Sequence, residues 1–437
     1  MEPRTEVQTG NARARAFSVV LKILTDKSYS NIAVAGALRD HSLKGADKAF
    51  FTALVYGVTE RRLTLDYNLA LYLKQPLKKL NPKAYTALLL GAYQLLFMER
   101  VPDHAAINES VKLVKKNGAA FAASLVNAVL HRVAEHGLQL PDKDADPLQY
   151  RSVRWSCPAW LVTLFTEAYG EENADGILEA SLGAPDLVVR VNTVKTTAEE
   201  LTERLKEEGI AAVPHELVPD ALILTGAEDL TELPSFAEGL CHVQDAASQL
   251  CCARLDPQPG DTVYDLCAAP GGKTFTLAER MGNEGTVCAF DLYPQRVGLI
   301  AAGAARLGLS IVEARTGNAE EFDPSLAPAD RILCDVPCSG LGVLSRKPEI
   351  RYKEAQSIDI LPELQYHILY NSMRYLKPGG TLVYSTCSLN PAENEQVCKR
   401  LSETLPEAKL CSMETLLPHV HHCDGFFIAV FRKETGA

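Results

Sequence analysis

No apolar run in the 437-residue chain approaches the roughly 18 residues of a membrane span. The opening residues, Met1-Glu2-Pro3-Arg4, have neither the basic start nor the apolar stretch of a secretory signal. No two cysteines have the C-x-x-C spacing, which argues against a structural zinc site and leaves no metal to be expected. The 12 cysteines are scattered through a long chain without an export signal, the pattern of a reducing cytoplasm rather than of a disulfide scaffold. The dinucleotide fingerprint G-x-G-x-x-G is absent, so a redox dinucleotide is not the expected ligand.

What is present is ordinary in bulk: 47% hydrophobic and 23% charged residues, as in a globular protein, at a length that calls for two or three domains. The formal charge of −11 conceals an asymmetry. Residues 1–150 carry 20 Lys and Arg against 14 Asp and Glu, a balance of +6, and the remainder carries −17. A basic N-terminal third on an acidic body points to a polyanionic partner. An ordinarily solvated helical surface would read the same way.

Apolar spacing over Asn11 to Gly137 is helical, with segments at Ala12–Leu24, Ala46–Glu60, Leu63–Leu73, Pro82–Phe97, Asp103–Lys116 and Ala119–His131. This predicts an all-α domain over 1–140. A polar, proline-flanked stretch at 138–150 suits a linker and leads to a small α/β subdomain, with the boundary set at 141 so that linker and subdomain take 141–235. From 236 to 437 strand and helix alternate. Strands are predicted at Thr262–Leu266, Gly285–Asp291, Ile311–Glu313, Arg331–Asp335, Thr381–Ser385 and Phe426–Phe431. Such alternation predicts a doubly wound parallel sheet with its ligand beyond the carboxyl ends of the strands.

The turn after the first of these strands reads Asp265-Leu266-Cys267-Ala268-Ala269-Pro270-Gly271-Gly272-Lys273-Thr274. Gly272-Lys273-Thr274 supplies the second half of a P-loop, but Cys267 stands where its first glycine is needed, so a phosphate cradle is excluded. An acid, Asp291, ends the next strand, placed to accept hydrogen bonds from ribose hydroxyls, or alternatively to cap the helix entered at Pro294. Asn318 follows the third strand, within reach of an adenine edge. The three together fit S-adenosylmethionine in a class I methyltransferase. Past the fourth strand comes Asp335-Val336-Pro337-Cys338, and past the fifth Thr386-Cys387-Ser388. Two thiols in matched turns suit methylation of a pyrimidine at carbon 5, which is a poor nucleophile until a thiolate adds at carbon 6. An acid such as Asp335 would hold ring nitrogen 3 as charge develops.

With Asp-x-Pro-Cys and Thr-Cys in this order, the region resembles the RNA cytosine-5 methyltransferases. The resemblance implies Cys387 as nucleophile, Cys338 as the thiol assisting release, and Asp335 between cofactor and base. It also implies that Cys267, Ala268, Ala269, Pro270, Gly271, Gly272 and Lys273 hold the methionine end of the cofactor and Asp291 its ribose. Asn318 stands where relatives usually carry Asp, at the adenine contact. Nearly the whole chain is similar to the RsmB/Sun family, including Arg190-Val191-Asn192-Thr193, Val243-Gln244-Asp245-Ala246-Ala247-Ser248 and Gly342 to Ile350. That implies a NusB-like RNA-binding domain, a small subdomain and a Rossmann-like catalytic domain acting on small-subunit ribosomal RNA. DNA, a membrane and an obligate protein partner are not implied. The same chemistry on another RNA such as transfer RNA, or a non-enzymatic NusB-like RNA-binding factor, are the alternatives.

Overall fold

The computed structural model describes residues 12–26, 30–39, 42–227 and 229–434. They form two units, one of residues 1–183 with 344–353 and the other of residues 184–343 with 354–437.

In the first unit the helical spacing holds. Helices span Ala12–Asp26, Ser30–Leu38, Gly45–Glu60, Arg62–Ala70, Pro82–Phe97, Asp103–Lys116 and Ala123–His136. They bury Phe17, Phe51, Leu54, Leu65 and Leu69. Pro82 takes the first helical position and the Asn81 side chain accepts the Lys83 amide, a cap that fixes this start. The linker expected at 138–150 is shorter than predicted, because a helix begins at Pro147, capped by the Asp146 side chain on the Gln149 amide. The next helix, Ala159–Ala180, is kinked at Gly170, whose φ is +79°. Leu344–Lys353 completes this unit. Its Arg351 is fully buried and donates to the carbonyl oxygens of Ser181 at 2.9 Å and of Glu60 and Trp155 at 3.4 Å.

The second unit holds two sheets. The smaller contains Leu187–Val191 (β1), Ala211–His215 (β2), Val218–Thr225 (β3) and Cys241–Val243 (β4), antiparallel in the order β2-β3-β1-β4. The larger contains Thr262–Asp265 (β5), Thr286–Asp291 (β6), Val312–Thr316 (β7), Ala329–Asp335 (β8), Leu376–Thr386 (β9), Ala408–Leu416 (β10) and Phe426–Lys433 (β11). Its order is β10-β11-β9-β8-β5-β6-β7. β7, β6, β5, β8 and β9 are parallel, as alternation predicts. β11 runs antiparallel to both its neighbours, so the sheet is mixed rather than wholly parallel. The reason lies in the connection from β10 to β11: residues 417–425 hold only a short helix, Pro418–His421, and parallel return needs about a dozen residues or more.

One buried polar cluster joins β1 to the helix Gly272–Arg280. Arg190, 1% exposed, donates to Glu279 at 2.6 Å and lies 3.4 Å from Asp220. Removing one member of such a pair strands a buried charge, at a cost of about 3–5 kcal/mol. Arg190→Met should therefore lower the calorimetric unfolding temperature of this unit markedly, while Arg190→Met with Glu279→Leu should recover most of the loss. Equal destabilisation in both variants would show that the charge is not the cause.

Candidate active site

Parallel pairing brings the two cysteine turns together. β8 and β9 are neighbours in a register that sets Asp335 against Ser385. Cys338 lies three residues beyond the first and Cys387 two beyond the second, so both turns leave the sheet at the same edge. The thiols meet at 3.2 Å. Cys338 is held well above the ordinary thiol range, first by its hydrogen bond with Cys387, then by burial and by the charges of Cys387, Glu393 and Asp335. It is therefore a protonated thiol, suited to giving or relaying a proton. Gly342 ties the turns together again: its amide donates to the Cys387 carbonyl at 2.9 Å and its carbonyl accepts the Gly425 amide. A Cβ at Gly342 would collide with the Gly425 backbone, which requires glycine there.

Asp335 faces β5 across the sheet. Its Oδ2 pairs with Lys273 Nζ at 2.7 Å and its Oδ1 accepts from Ser385 Oγ at 2.7 Å. Burial alone would lower the Lys273 ammonium, but Asp335 outweighs this and keeps it charged. The carboxyl expected to face the base is thus an oriented member of an ion pair.

The turn from Cys267 to Lys273 enters the helix Gly272–Arg280 through Gly271, at φ +112°, where a side chain would strike the Phe275 ring. The Ala268 amide donates to Phe290 and the Ala269 amide to Asp291. Burial pushes the Cys267 thiol far up, so it is inert. Asp291 is nearly enclosed. Its Oδ2 takes the Ala269 amide and Arg296, and its Oδ1 the Tyr293 amide next to the helix start, so it serves the turn as well as any ligand. Asn318 lines a cavity of about 410 Å³ with Leu266, Phe290 and Gly317. Its amide donates to Glu321 and accepts from the Glu320 backbone, bracing its own turn. The cavity sets apolar Leu266 and Phe290 beside polar Asn318 and Glu321, a lining that fits a small nucleoside-like group, and Asp265 Oδ1 lies buried without a well-formed hydrogen bond.

Sequence reasoning missed Ser385, Arg296 and above all Glu393, which lies fully buried under both cysteine turns. The only signal for Glu393 was an acid closely following Thr386-Cys387-Ser388, in Asn390-Pro391-Ala392-Glu393.

Burial is the main cause that pushes Asp265 up to about 7, helped by the charge of Asp335 and opposed by the Thr274 hydroxyl bond. An unfolded aspartate titrates near about 4. The folded value is the higher, so this group's contribution to stability is complete below pH of about 4 and is lost as pH rises through about 7. Asp265→Asn, permanently neutral, should gain thermal stability relative to the unsubstituted chain progressively between pH of about 4 and 7 and keep that gain above it. A pH-independent difference in scanning fluorimetry would contradict this origin.

Comparison with known proteins shows the family. Residues 252–432 match the family "16S rRNA methyltransferase RsmB/F", residues 10–135 the NusB family, and residues 157–231 the RsmF/B-like ferredoxin-like domain. A Synechocystis protein named "Probable ribosomal RNA small subunit methyltransferase B" is 37% identical over 97% of this chain and 99% of its own. Ribosomal RNA small subunit methyltransferase B of Vibrio cholerae is 35% identical over 97% and 98%. The crystal structure of the protein PH0851 superposes with a TM-score of 0.82 at 26% identity, covering 99% of this chain and 100% of that one. By its catalytic region, its NusB region and its full-length relatives, the chain belongs to the RsmB/F family of ribosomal RNA methyltransferases.

Proposed function

We propose that this methyltransferase modifies carbon 5 of a cytosine in small-subunit ribosomal RNA, with S-adenosylmethionine as methyl donor. The observation that carries the reading is the pair of thiols, 3.2 Å apart, beside the Lys273–Asp335 ion pair. Transfer to a nitrogen or oxygen needs no thiol, whereas carbon 5 needs one to add and gains from a second.

Cys267 to Lys273 would hold the methionine end of the cofactor, Asp291 its ribose, and the cavity at Asn318 its adenine. Bound there, the cofactor supplies an electrophilic methyl group. Cys387 Sγ adds to carbon 6 of the cytosine, which makes carbon 5 electron-rich. As that bond forms the Cys387 thiol proton passes to ring nitrogen 3, and Asp335, oriented by Lys273 and Ser385, accepts the hydrogen bond of the N3–H so formed. Once carbon 5 is methylated, a base takes its proton, that C–H pair re-forms the pyrimidine double bond, and the bond to Cys387 breaks with its pair on the sulfur. Cys338, a thiol in the resting site, would pass its own proton to the departing Cys387 sulfur and, as the thiolate, take the carbon 5 proton, while ring nitrogen 3 returns its proton to water.

In this reading residues 1–140 bind RNA, residues 141–235 are the linker and small subdomain, and residues 236–437 are catalytic. The net charge of +6 over residues 1–150 supports phosphate contacts by the first. The target base would be extruded from its stack to reach the thiols. No helix among the described residues is long and apolar enough to cross a membrane, and cytoplasmic action on RNA is part of the proposal.

Cys387→Ala should lower methyl transfer to ribosomal RNA by at least about 10³-fold, measured with radiolabelled cofactor, while leaving cofactor binding within about twofold. Cys338→Ala should instead accumulate a denaturation-resistant enzyme–RNA adduct. Turnover in Cys387→Ala, or a Cys338→Ala variant that releases product normally, would overturn the assignment of roles. Bisulfite sequencing of ribosomal RNA from cells lacking the protein should show one cytosine newly converted. Conversion confined to transfer RNA would favour that substrate.

A further inference from the structure

Glu393 is 0% exposed, and four donors from three segments converge on its carboxyl. The Ser339 amide donates to Oε2 at 2.8 Å and Gln365 Nε2 to the same oxygen at 3.0 Å. The hydroxyls of Ser339 and Ser388 both donate to Oε1. Ser339 directly follows Cys338, and Ser388 directly follows Cys387. The two hydroxyl oxygens are themselves 2.8 Å apart, so the residues after the two thiols share one acceptor. Gln365, on the helix Leu361–Tyr375, also donates to the Pro337 carbonyl, which precedes Cys338. Main-chain contacts hold Glu393 in turn, since its own carbonyl accepts from Tyr384 on β9.

We propose that Glu393 is a positioning residue, whose carboxyl clamps the turns after β8 and β9 so that Cys338 and Cys387 face each other. The clamp deepens the two-thiol reading above and rests on it for its catalytic consequence. A buried carboxyl is costly unless its lone pairs are filled, and here each oxygen takes two bonds. Only an acceptor-rich group can gather two hydroxyls, an amide and a carboxamide at one point. The sheet register sets the turns side by side, but turns are compliant, and nothing in the pairing of β8 with β9 fixes the last ångström between the sulfurs. Two thiols that act in succession on adjacent ring atoms need that ångström, since displacement of about 1 Å costs about 10²-fold in rate.

The test uses the full chain and one readout that needs no RNA. Diamide takes two electrons and both thiol protons as an Sγ–Sγ bond forms, and peptide mass spectrometry then measures the Cys338–Cys387 disulfide. Disulfide formation is strict in geometry, so Glu393→Ala should slow it by about tenfold or more. Glu393→Gln should slow it about threefold at most, because its carbonyl can serve Ser339 and Gln365 while its amide donates to the two hydroxyl oxygens. Methylation should follow the same order, with kcat down about 10²-fold in Glu393→Ala and KM for the cofactor within about twofold. A folded Glu393→Ala that forms the disulfide at the unsubstituted rate overturns the clamp. If Glu393→Ala does not fold, the double variant Ser339→Ala with Ser388→Ala removes two of the donors, and an unchanged disulfide rate there overturns it equally. Slowed disulfide formation in variants of a chain that methylates no cytosine would support the clamp and overturn the function proposed above.

Discussion

The parallel pairing of β8 with β9 is the constraint on which the rest depends. Opposing Asp335 to Ser385 in one register decides that the residues just beyond them, Cys338 and Cys387, emerge at one edge of the sheet. A slip of one residue would turn every side chain of β9 to the other face. It would carry Ser385 away from the Asp335 carboxyl, and the turn bearing Cys387 with it. Register here is enforced from both sides: Leu333 and Val383 pack in one core cluster, and Ile332, Cys334, Leu382 and Tyr384 in another. The hydrophobic core of the sheet and the chemistry at its edge are the same specification.

Electrostatics at that edge follow from burial. The Asp335 carboxylate holds the Lys273 ammonium charged in a place where burial alone would favour its loss of charge. Nearby thiols are pushed the opposite way. Cys251, Cys267 and Cys334, enclosed and surrounded by carboxyls, all have raised values and stay neutral. The sheet thus contains many cysteines but offers few for reaction. Geometry at the turns, not the presence of sulfur, selects the pair that meets.

How much of this was legible in the sequence depends on how local the determinant is. The turn Asp265–Thr274 and the motifs around Cys338 and Cys387 are contiguous and sit at the ends of strongly apolar strands, so both their place and their edge could be read. Most helices of the first unit were legible for the same reason, through three- and four-residue spacing, but Ser30–Leu38 was not predicted and Pro147–Arg154 begins inside the stretch expected to be a linker. β10 was missed because it is an edge strand with only its ends buried, leaving no alternation to detect. β4 is three residues long, and β2 carries Pro214 and exposes three of its five residues. The placement of Leu344–Lys353 in the first unit was invisible, because Arg351 finds its carbonyl partners across sequence separations of 170 residues and more.

Glu393 marks the limit of local reading most sharply. In sequence it is one acid among 55 Asp and Glu, in a turn before the helix Glu395–Thr404, where an acidic residue would ordinarily be read as favouring a helix N-terminus. What distinguishes it is the origin of its donors, which lie 54, 28 and 5 residues away. A carboxyl at a solvated helix start would share its bonds with water and could be exchanged for serine or asparagine at little cost. One whose lone pairs are filled by the neighbours of two reactive thiols cannot be exchanged so freely, since each unmade bond leaves a buried donor unpaired. The same burial that hides Glu393 from sequence reading gives it leverage over the site, because a group with no solvent to compensate it passes any change directly to the turns it holds.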